Sequence, residues 1–502
     1  MNAMPQEFDV AIVGYGPVGA TLANLLVQQG LRVAVLERES DVYHLARAGH
    51  LDAEVMRVLQ SIGIADEFEQ QTSQTLGMRF VDADGKVLME WKRGGARGPN
   101  GWVSDYMFYQ PTLEKLLRRK LSGVPNFREY LLHDVYAIEQ DGNGVTVRAE
   151  DTVSNQLAEM RVRYVVGCDG ARSLARRMIG TTHTDLGFKQ RWLVVNVKPR
   201  ESMGFEPVSI QHCNPARPAY ASGSSQSLRW EFMVLPDESA HAMVQHDNVW
   251  NLIEQSVRPM RREDGEITRV AVYTFESLVA RQWRAGRLLI AGDAAHRMPP
   301  FLGQGMCAGL RDASNLAWKL AAVLKGRAQE DLLDTYASER SQHVTEFTLG
   351  AIEAGRFIQM SDPEEVQARM RDMRDNPKSY APPNPHLGPG LSTLHGEAGI
   401  GRQFTQPTIN DQRLDDLVGH RFALVTRQGF LAPERGSLLT SWAGLKVVEL
   451  TDEQAGALDP YNAPAIIVRP DRYVHAAIPD AGSLADTLNA LGPLLQAESE
   501  FA

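Results

Sequence analysis

The strongest constraint on this 502-residue chain lies near its start, where Gly14-Tyr15-Gly16-Pro17-Val18-Gly19 stands between an apolar run and a helical pattern. Residues Phe8 to Val13 suit a buried parallel strand, and Pro17 to Gln29 carries helical periodicity. Glycine at the first, third and sixth motif positions answers three separate needs. Gly14 permits the tight turn, Gly16 lets a pyrophosphate approach the backbone, and Gly19 lets helix and strand pack closely. The helix start, with Pro17 and Val18, offers free amides and about half a positive charge to phosphates. Gly30 fits a left-handed cap, and Arg32 to Leu36 resumes as a second buried strand, so the chain opens as a βαβ unit. Glu37, followed by Arg38, then places a carboxylate where ribose hydroxyls can donate. The motif alone does not separate NAD from FAD.

The bulk composition narrows the rest. A chain of 502 residues implies two or three domains, and 43% hydrophobic with 23% charged residues is ordinary globular composition. A net charge of -10 argues against a sequence-independent nucleic-acid binder, which needs a basic face. The basic run Arg118-Arg119-Lys120, in an amphipathic helix beginning near Pro111, reads as a solvated helix face. Cys168, Cys213 and Cys307 show no metal-ligand or redox spacing, which fits a reducing cytoplasm. Met1 to Phe8 lacks a secretory pattern, and no apolar run reaches the roughly 18 residues of a membrane span.

Further along, Val145 to Arg148 and Arg161 to Val166 read as strands leading into Gly167-Cys168-Asp169-Gly170. Residues from Trp192 to Leu235 form a strand-rich stretch, as expected of an inserted β layer. Arg287 to Ala291 is another buried strand, and it delivers Asp293 immediately afterwards. Met298-Pro299-Pro300-Phe301-Leu302-Gly303-Gln304-Gly305 then opens a long helix with Leu310, Ala313, Ala317, Leu320 and Leu324 on one face. A glycine-rich helix start of this kind offers backbone N–H groups to a flavin pyrimidine ring and stabilises its anionic reduced form. Asn376 to Gly390 holds five prolines and reads as a linker or surface arm. Beyond it lies a small α/β region with a strand at Ala465 to Val468 and a last helix at Ser483 to Leu491, stopped by Gly492-Pro493.

Taken together, these segments resemble the group A FAD-dependent aromatic hydroxylases, the para-hydroxybenzoate hydroxylase and phenol hydroxylase type, over about Phe8 to Ala354. The likeness is greatest to 3-(3-hydroxyphenyl)propionate hydroxylase-like enzymes, through Gln211 to Pro218 and Arg229 to Met233. The resemblance implies an α/β, Rossmann-like FAD-binding fold with an inserted β-rich substrate domain and a C-terminal thioredoxin-like domain. The expected division is 1–75, 103–185 and 270–375 for FAD, 76–102 and 186–269 for substrate, 376–399 as linker, and 400–502 as the last domain. The implied FAD contacts are Gly14, Gly16, Pro17, Val18, Gly19, Glu37, Arg38, Arg47, Gln110, Asp169, Asp293, Pro300, Gly303, Gly305 and Met306. The implied reaction takes NADPH or NADH, O2 and a small phenol-like substrate, and adds a hydroxyl ortho or para to the existing one through a flavin C4a-hydroperoxide. A homo-oligomer is left open.

On the substrate side the candidates are Arg217, Tyr220, Trp230 and Phe232. Arg217 reads either as a partner for a substrate carboxylate or as a turn-stabilising residue, and Trp230 and Phe232 read as core or as pocket walls. His50 suits phenol deprotonation, since an unperturbed imidazole titrates near pH 6.5, or orientation of its own loop. Pro300 is the second catalytic candidate, through its carbonyl, and His296 reads as a structural helix-start residue. Cys307 stands where the propionate hydroxylases have Asn, and Ala46 replaces a common Pro, so the exact substrate is not transferred. The C-terminal domain contains no cysteine, which excludes thiol redox chemistry there and leaves packing or subunit contact. A dehalogenating or denitrating phenol monooxygenase and a non-catalytic flavin-binding protein are the rival readings.

Overall fold

A computed structural model describes residues 2–3, 8–44, 47–92, 95–201, 203–223, 227–360, 362–375, 383–392, 399–431 and 444–495. Ala46 lies outside them. The helices among the described residues include α1 (Pro17–Gln28), α2 (Ala53–Ile62), α3 (Gln110–Leu121), α4 (Leu174–Ile179), α5 (His246–Glu254), α6 (Gly305–Leu324) and α7 (Asp334–Ile358).

The opening βαβ unit forms as its pattern requires. Strand Phe8–Val13 pairs in parallel with Val33–Glu37 on one side and with Gln156–Gly167 on the other. Val33–Glu37 continues in parallel to Phe127–Leu131, and Leu288–Ile290 runs parallel to the end of Gln156–Gly167. Residues 10–13, 33–36 and 288–290 are buried and apolar, packed in one core with helices α1 and α6. The carboxyl ends of Phe8–Val13, Gln156–Gly167 and Leu288–Ile290 therefore converge, and each delivers a loop holding candidate residues. Clefts at such strand ends are where open α/β sheets bind ligands.

An eight-stranded sheet lies beside it, in the order His296–Arg297, Gly265–Ala280, His183–Pro199, Leu228–Met233, Ala219–Gly223, Val208–His212, Gly77–Val81 and Val87–Lys92. Its two faces bury different cores. Leu193, Val195, Trp230 and Phe232 pack with Trp250 and Ile253 of α5. Phe80, Phe188 and Trp192 pack with Phe301, Leu302 and the end of α7. His50–Asp52, Asp105–Met107 and Ser73–Gln74 form a separate small three-stranded sheet.

The C-terminal strands Leu445–Leu450, Phe422–Arg427, Ala465–Val468 and Val474–Ile478 form a four-stranded sheet whose first pair is parallel and the others antiparallel. Phe422, Leu424 and Ile467 join the same apolar core as the nucleotide-binding sheet. The last helix runs from Ala481 to Leu495, through the expected stop at Gly492-Pro493, because Leu484, Leu488 and Leu491 form a buried stripe along it. Residues 383–392, expected as part of a surface linker, are instead packed down. Leu387 and Ser392 are buried, and Gly388 and Leu391 donate backbone hydrogen bonds to Glu339. The remainder of that linker, 376–382 and 393–398, lies outside the described residues. Among the described residues, no helix is long and apolar enough to cross a membrane.

Candidate active site

The glycine turn is built by exclusion of side chains. Gly14 has φ +100°, and a Cβ there would lie 2.5 Å from the Cys168 carbonyl oxygen. A Cβ on Gly19 would lie 2.1 Å from the Gly14 carbonyl oxygen. Gly16 differs: it has φ -72° and ψ -172°, and nothing lies within 4 Å of where its Cβ would stand. That side of the turn is an open cradle at the N-terminus of α1. Pro17 is the first residue of α1, and Val18 fills the space beside Gly292 and Gly309, tying α1 to α6.

Glu37 closes the turn from the neighbouring strand. Its carboxylate accepts the Tyr15 N–H at 2.7 Å and the Glu39 N–H at 3.1 Å. Arg38 is exposed and pairs with Glu39 at 3.5 Å. Arg118, read from sequence as part of a solvated face, belongs to the turn instead. Its guanidinium sits 4.3 Å from the Tyr15 ring centroid and donates to the Tyr15 carbonyl at 2.9 Å. Only Arg119 and Lys120 of that run are exposed. The sequence held no local signal for this, since Tyr15 and Arg118 meet only when α1 and α3 pack.

Gln110 shapes the Arg47 loop. Its side-chain oxygen accepts the N–H groups of Arg47 and Ala48 at 2.9 and 2.7 Å, and its amide donates to Glu114 at 2.8 Å. The Arg47 side chain lies over Tyr43, 4.7 Å from the ring centroid. Asp169 accepts the N–H groups of Leu174 and Ala175 at 2.7 and 3.1 Å, which caps α4, and its other oxygen is buried without a partner. Arg176 of α4 donates to the Ala294 carbonyl at 2.9 Å and so ties this loop to the turn carrying Asp293. Asp293 is solvent-accessible yet ringed by protein, and desolvation raises its carboxyl above the usual range. His296 is structural: it bonds Asp312 at 2.7 Å, which also accepts from Gly292 N–H and Arg340.

The Pro300–Gln304 segment turns sharply into α6. Gly303 has φ +66°, and a Cβ there would lie 2.7 Å from His50 Nδ1. His50 in turn bonds Asp105 through Nε2 at 2.6 Å, and its Nδ1 lies 3.4 Å from the Gly303 carbonyl oxygen. Both ring nitrogens thus face protein acceptors. Gln304 donates to Asp52 at 3.1 Å and accepts from Arg311 at 3.0 Å. Gly305 begins α6, and half-buried Met306 packs against the main core. Cys307 lies behind the loop, fully buried, and burial pushes its thiol up.

Strand register decides the substrate-facing residues. Trp192 pairs with Met233, whereas Leu193 pairs with Phe232 and Val195 with Trp230. Because side chains alternate, Trp230 and Phe232 point away from the Phe301 loop, into the core under α5. They do not line a cleft on the flavin side, and Trp230 is anchored there by donating to the Arg258 carbonyl. Tyr220, opposite Glu231, shares the other face with Trp192 and Met233, and its hydroxyl donates to Ser209 at 3.2 Å. Arg217 forms a bidentate pair with Glu238 at 2.8 and 2.5 Å and donates to the Met233 carbonyl, the turn-stabilising role.

The cradle at Gly16, the unpartnered oxygen of Asp169, the accessible carboxylate of Asp293 and the Gly303–Gly305 helix start fit an extended dinucleotide ending in a flavin. The profile of the family described as FAD binding domain matches residues 7–350. The chain is 37% identical over 501 residues to a probable NADH-specific resorcinol 4-hydroxylase of Rhodococcus jostii (strain RHA1), covering 95% of this chain and 93% of that one. The chain belongs to the FAD-dependent aromatic hydroxylases. A 3-(3-hydroxy-phenyl)propionate/3-hydroxycinnamic acid hydroxylase of Burkholderia cenocepacia (strain HI2424) is 32% identical over 542 residues, covering 98% of each. Among solved structures, the flavin-dependent monooxygenase PieE in complex with FAD and substrate superposes with a TM-score of 0.82 at 20% identity, covering 97% of this chain and 99% of that one. That likeness shows the fold. The enzyme is accordingly an FAD-dependent monooxygenase of phenolic compounds that draws electrons from a reduced nicotinamide.

Proposed function

We propose that this hydroxylase acts on a small uncharged phenol of the resorcinol kind, with NADH as reductant. The observation that carries this reading is the state of the arginines on the substrate sheet. A propionate side chain needs a cation, and Arg217 is spent on Glu238, Arg229 on Glu231 at 2.6 Å, and Arg269 on the Tyr273 hydroxyl. Diverting Arg217 or Arg229 to a ligand would leave the half-buried Glu238 or the buried Glu231 carboxylate unpaired, at a cost of roughly 1–3 kcal/mol. A neutral ring held among Trp192, Phe301 and Met233 carries no such cost. The whole-length likeness to the probable NADH-specific resorcinol 4-hydroxylase supports both the ring and the nicotinamide.

Bound FAD, once reduced, supplies the oxygen chemistry. The chain supplies position and dryness. Gly14, Gly16, Gly19 and Glu37 would hold the adenosine diphosphate half, Asp293 the ribityl chain, and the amides after Gly303 the flavin ring. Phe188, Trp192 and Phe301, whose rings meet edge to face, keep water from the reacting side. The Pro300 carbonyl orients the phenol, and His50, bonded to Asp105 through Nε2 at 2.6 Å, holds the loop rather than taking the phenolic proton. Three unpaired cysteines suit a reducing compartment, and we place the enzyme in the cytoplasm.

The test compares NADH and NADPH oxidation stimulated by resorcinol with that stimulated by 3-(3-hydroxyphenyl)propionate, with product masses read in parallel. Resorcinol with NADH is expected to give the higher kcat/KM. Preference for the propionate overturns the reading, and release of halide or nitrite from substituted phenols as the favoured reaction moves the enzyme to leaving-group chemistry.

A further inference from the structure

One tight turn of the C-terminal sheet, Arg469 to Tyr473, reaches helix α6 at two levels. At the lower level Arg469 donates to both oxygens of Glu339 on α7, at 2.9 and 2.8 Å. Glu339 also accepts from Lys319 at 2.7 Å and Asn315 at 2.9 Å, and Asp471 accepts from Asn315 and Trp318 at 3.0 and 3.2 Å. Every one of these side chains is buried. At the upper level the Tyr473 hydroxyl donates to one oxygen of Glu54. The other Glu54 oxygen accepts Arg311 Nε at 2.6 Å. Arg311 then gives Nη2 to Asp52 at 2.5 Å and Nη1 to the Gln304 side-chain oxygen at 3.0 Å, and Gln304 returns its amide to Asp52 at 3.1 Å. Gln304 stands between Gly303 and Gly305, the glycines that open the flavin-facing helix start.

A buried guanidinium shared among three acceptors has one good position. Charges removed from water are tolerated only when their hydrogen bonds are complete and well aligned, so removing one donor makes the rest redistribute. Glu54 has two donors, one from each domain. Without the Tyr473 hydroxyl it would draw on Arg311 alone and pull that guanidinium away from Asp52 and Gln304. The C-terminal domain therefore holds one end of a chain of hydrogen bonds whose other end is the flavin-ring loop.

We propose that Tyr473 is a positioning residue for the flavin: through Glu54 and Arg311 the C-terminal domain sets where Gln304, and the backbone amides following it, stand. The domain is part of the flavin site rather than an appendage, and this assignment is independent of which phenol is the substrate.

The experiment uses the full-length holoenzyme and its Tyr473→Phe, Glu54→Gln and double variants, with Arg413→Ala as a control at a separate, exposed contact between the domains, Arg413 to Asp66. The readouts are FAD affinity by titration of apoprotein, the visible flavin spectrum, and thermal unfolding. Tyr473→Phe is expected to weaken FAD binding roughly two- to thirtyfold, the range for a position in a coupled network, and to shift the flavin absorption bands. Glu54→Gln should reproduce this, and the double variant should add less than the sum of the two. Arg413→Ala should leave spectrum and affinity as in the wild type. A folded Tyr473→Phe with unchanged spectrum and affinity, or with only a lower melting temperature, overturns the proposal. If Tyr473→Phe does not fold, Glu54→Gln decides by the same readouts.

Discussion

Replacing Gly16 by alanine separates folding of the dinucleotide turn from its binding of FAD. The backbone of Gly16 lies in a region open to any residue, φ -72° and ψ -172°, and an added methyl meets nothing within 4 Å. As the residue before α1 it loses as an N-cap, since alanine is worse than glycine there by roughly 0.5–1 kcal/mol. Reduced freedom of the unfolded chain returns about 0.4–1 kcal/mol, so apoprotein stability should barely move. The methyl does occupy the approach that a pyrophosphate needs. Overfilling a well-packed contact by one carbon costs about 1–3 kcal/mol. At 1.4 kcal/mol per decade, FAD should bind roughly five- to 150-fold more weakly. Gly19→Ala is the counterpart, because its methyl would press on the Gly14 carbonyl at 2.1 Å and must move backbone. The assay pairs flavin titration of each apoprotein with its thermal unfolding curve. Wild-type FAD affinity in Gly16→Ala, or unfolding as early as in Gly19→Ala, refutes the reasoning.

Other consequences are as definite. Arg118→Met removes a guanidinium stacked on Tyr15 and bonded to its carbonyl, and should weaken FAD by about three- to tenfold in the same titration, with no change if Arg118 were merely a surface charge. Burial opposes ionisation of Asp52, Asp312, Asp415 and Glu339, but Arg311, His296 with Arg340, Arg57, and Arg469 with Lys319 respectively outweigh it and hold each carboxyl below its ordinary range. Their folded values being the lower ones, the unfolded chain takes protons first as pH falls. The stability they contribute is complete above the unfolded values near 3.9–4.3 and is lost progressively below them. Melting temperature should therefore fall steeply below about pH 4, less so in Glu339→Gln, and a flat profile there would contradict the network. Burial pushes the thiols of Cys168, Cys213 and Cys307 up, that of Cys213 to about 12, so a thiol reagent at neutral pH should label the native enzyme far more slowly than the unfolded chain. Deleting residues 391–502 strips Arg57 of Asp415 and Glu339 of Arg469, both buried partners, and should abolish soluble folded protein, since each broken buried pair costs about 3–5 kcal/mol.

What could be read from the sequence follows physical range. The turn was legible because covalent geometry forces glycine at Gly14 and Gly19, where backbones touch, and the start of α6 because Gly303 turns through φ +66° just before it. Asp293 was legible because a carboxylate directly after an apolar strand lies at the sheet's carboxyl end. Trp230 and Phe232 were not assignable to a face, because an alternating strand shows two faces but not which one meets the cleft. The pairing of Trp192 with Met233 settles that. The second role of His50 depended on Asp105, 55 residues away, and that of Arg118 on Tyr15, 103 residues away. Glu339 and Glu54, the partners of Arg469 and Tyr473, lie 130 and 419 residues distant, beyond any local pattern. The last helix passes Gly492-Pro493 because tertiary burial of its leucines overrides a local stop signal.

The most direct test of the central claim places the yellow holoenzyme with NADH and resorcinol under isotopically heavy dioxygen. The account predicts a product heavier by one labelled oxygen atom, formed one for one with NADH consumed. NADH oxidation that puts the label into peroxide or water and leaves the phenol unchanged, across small uncharged phenols, would contradict it.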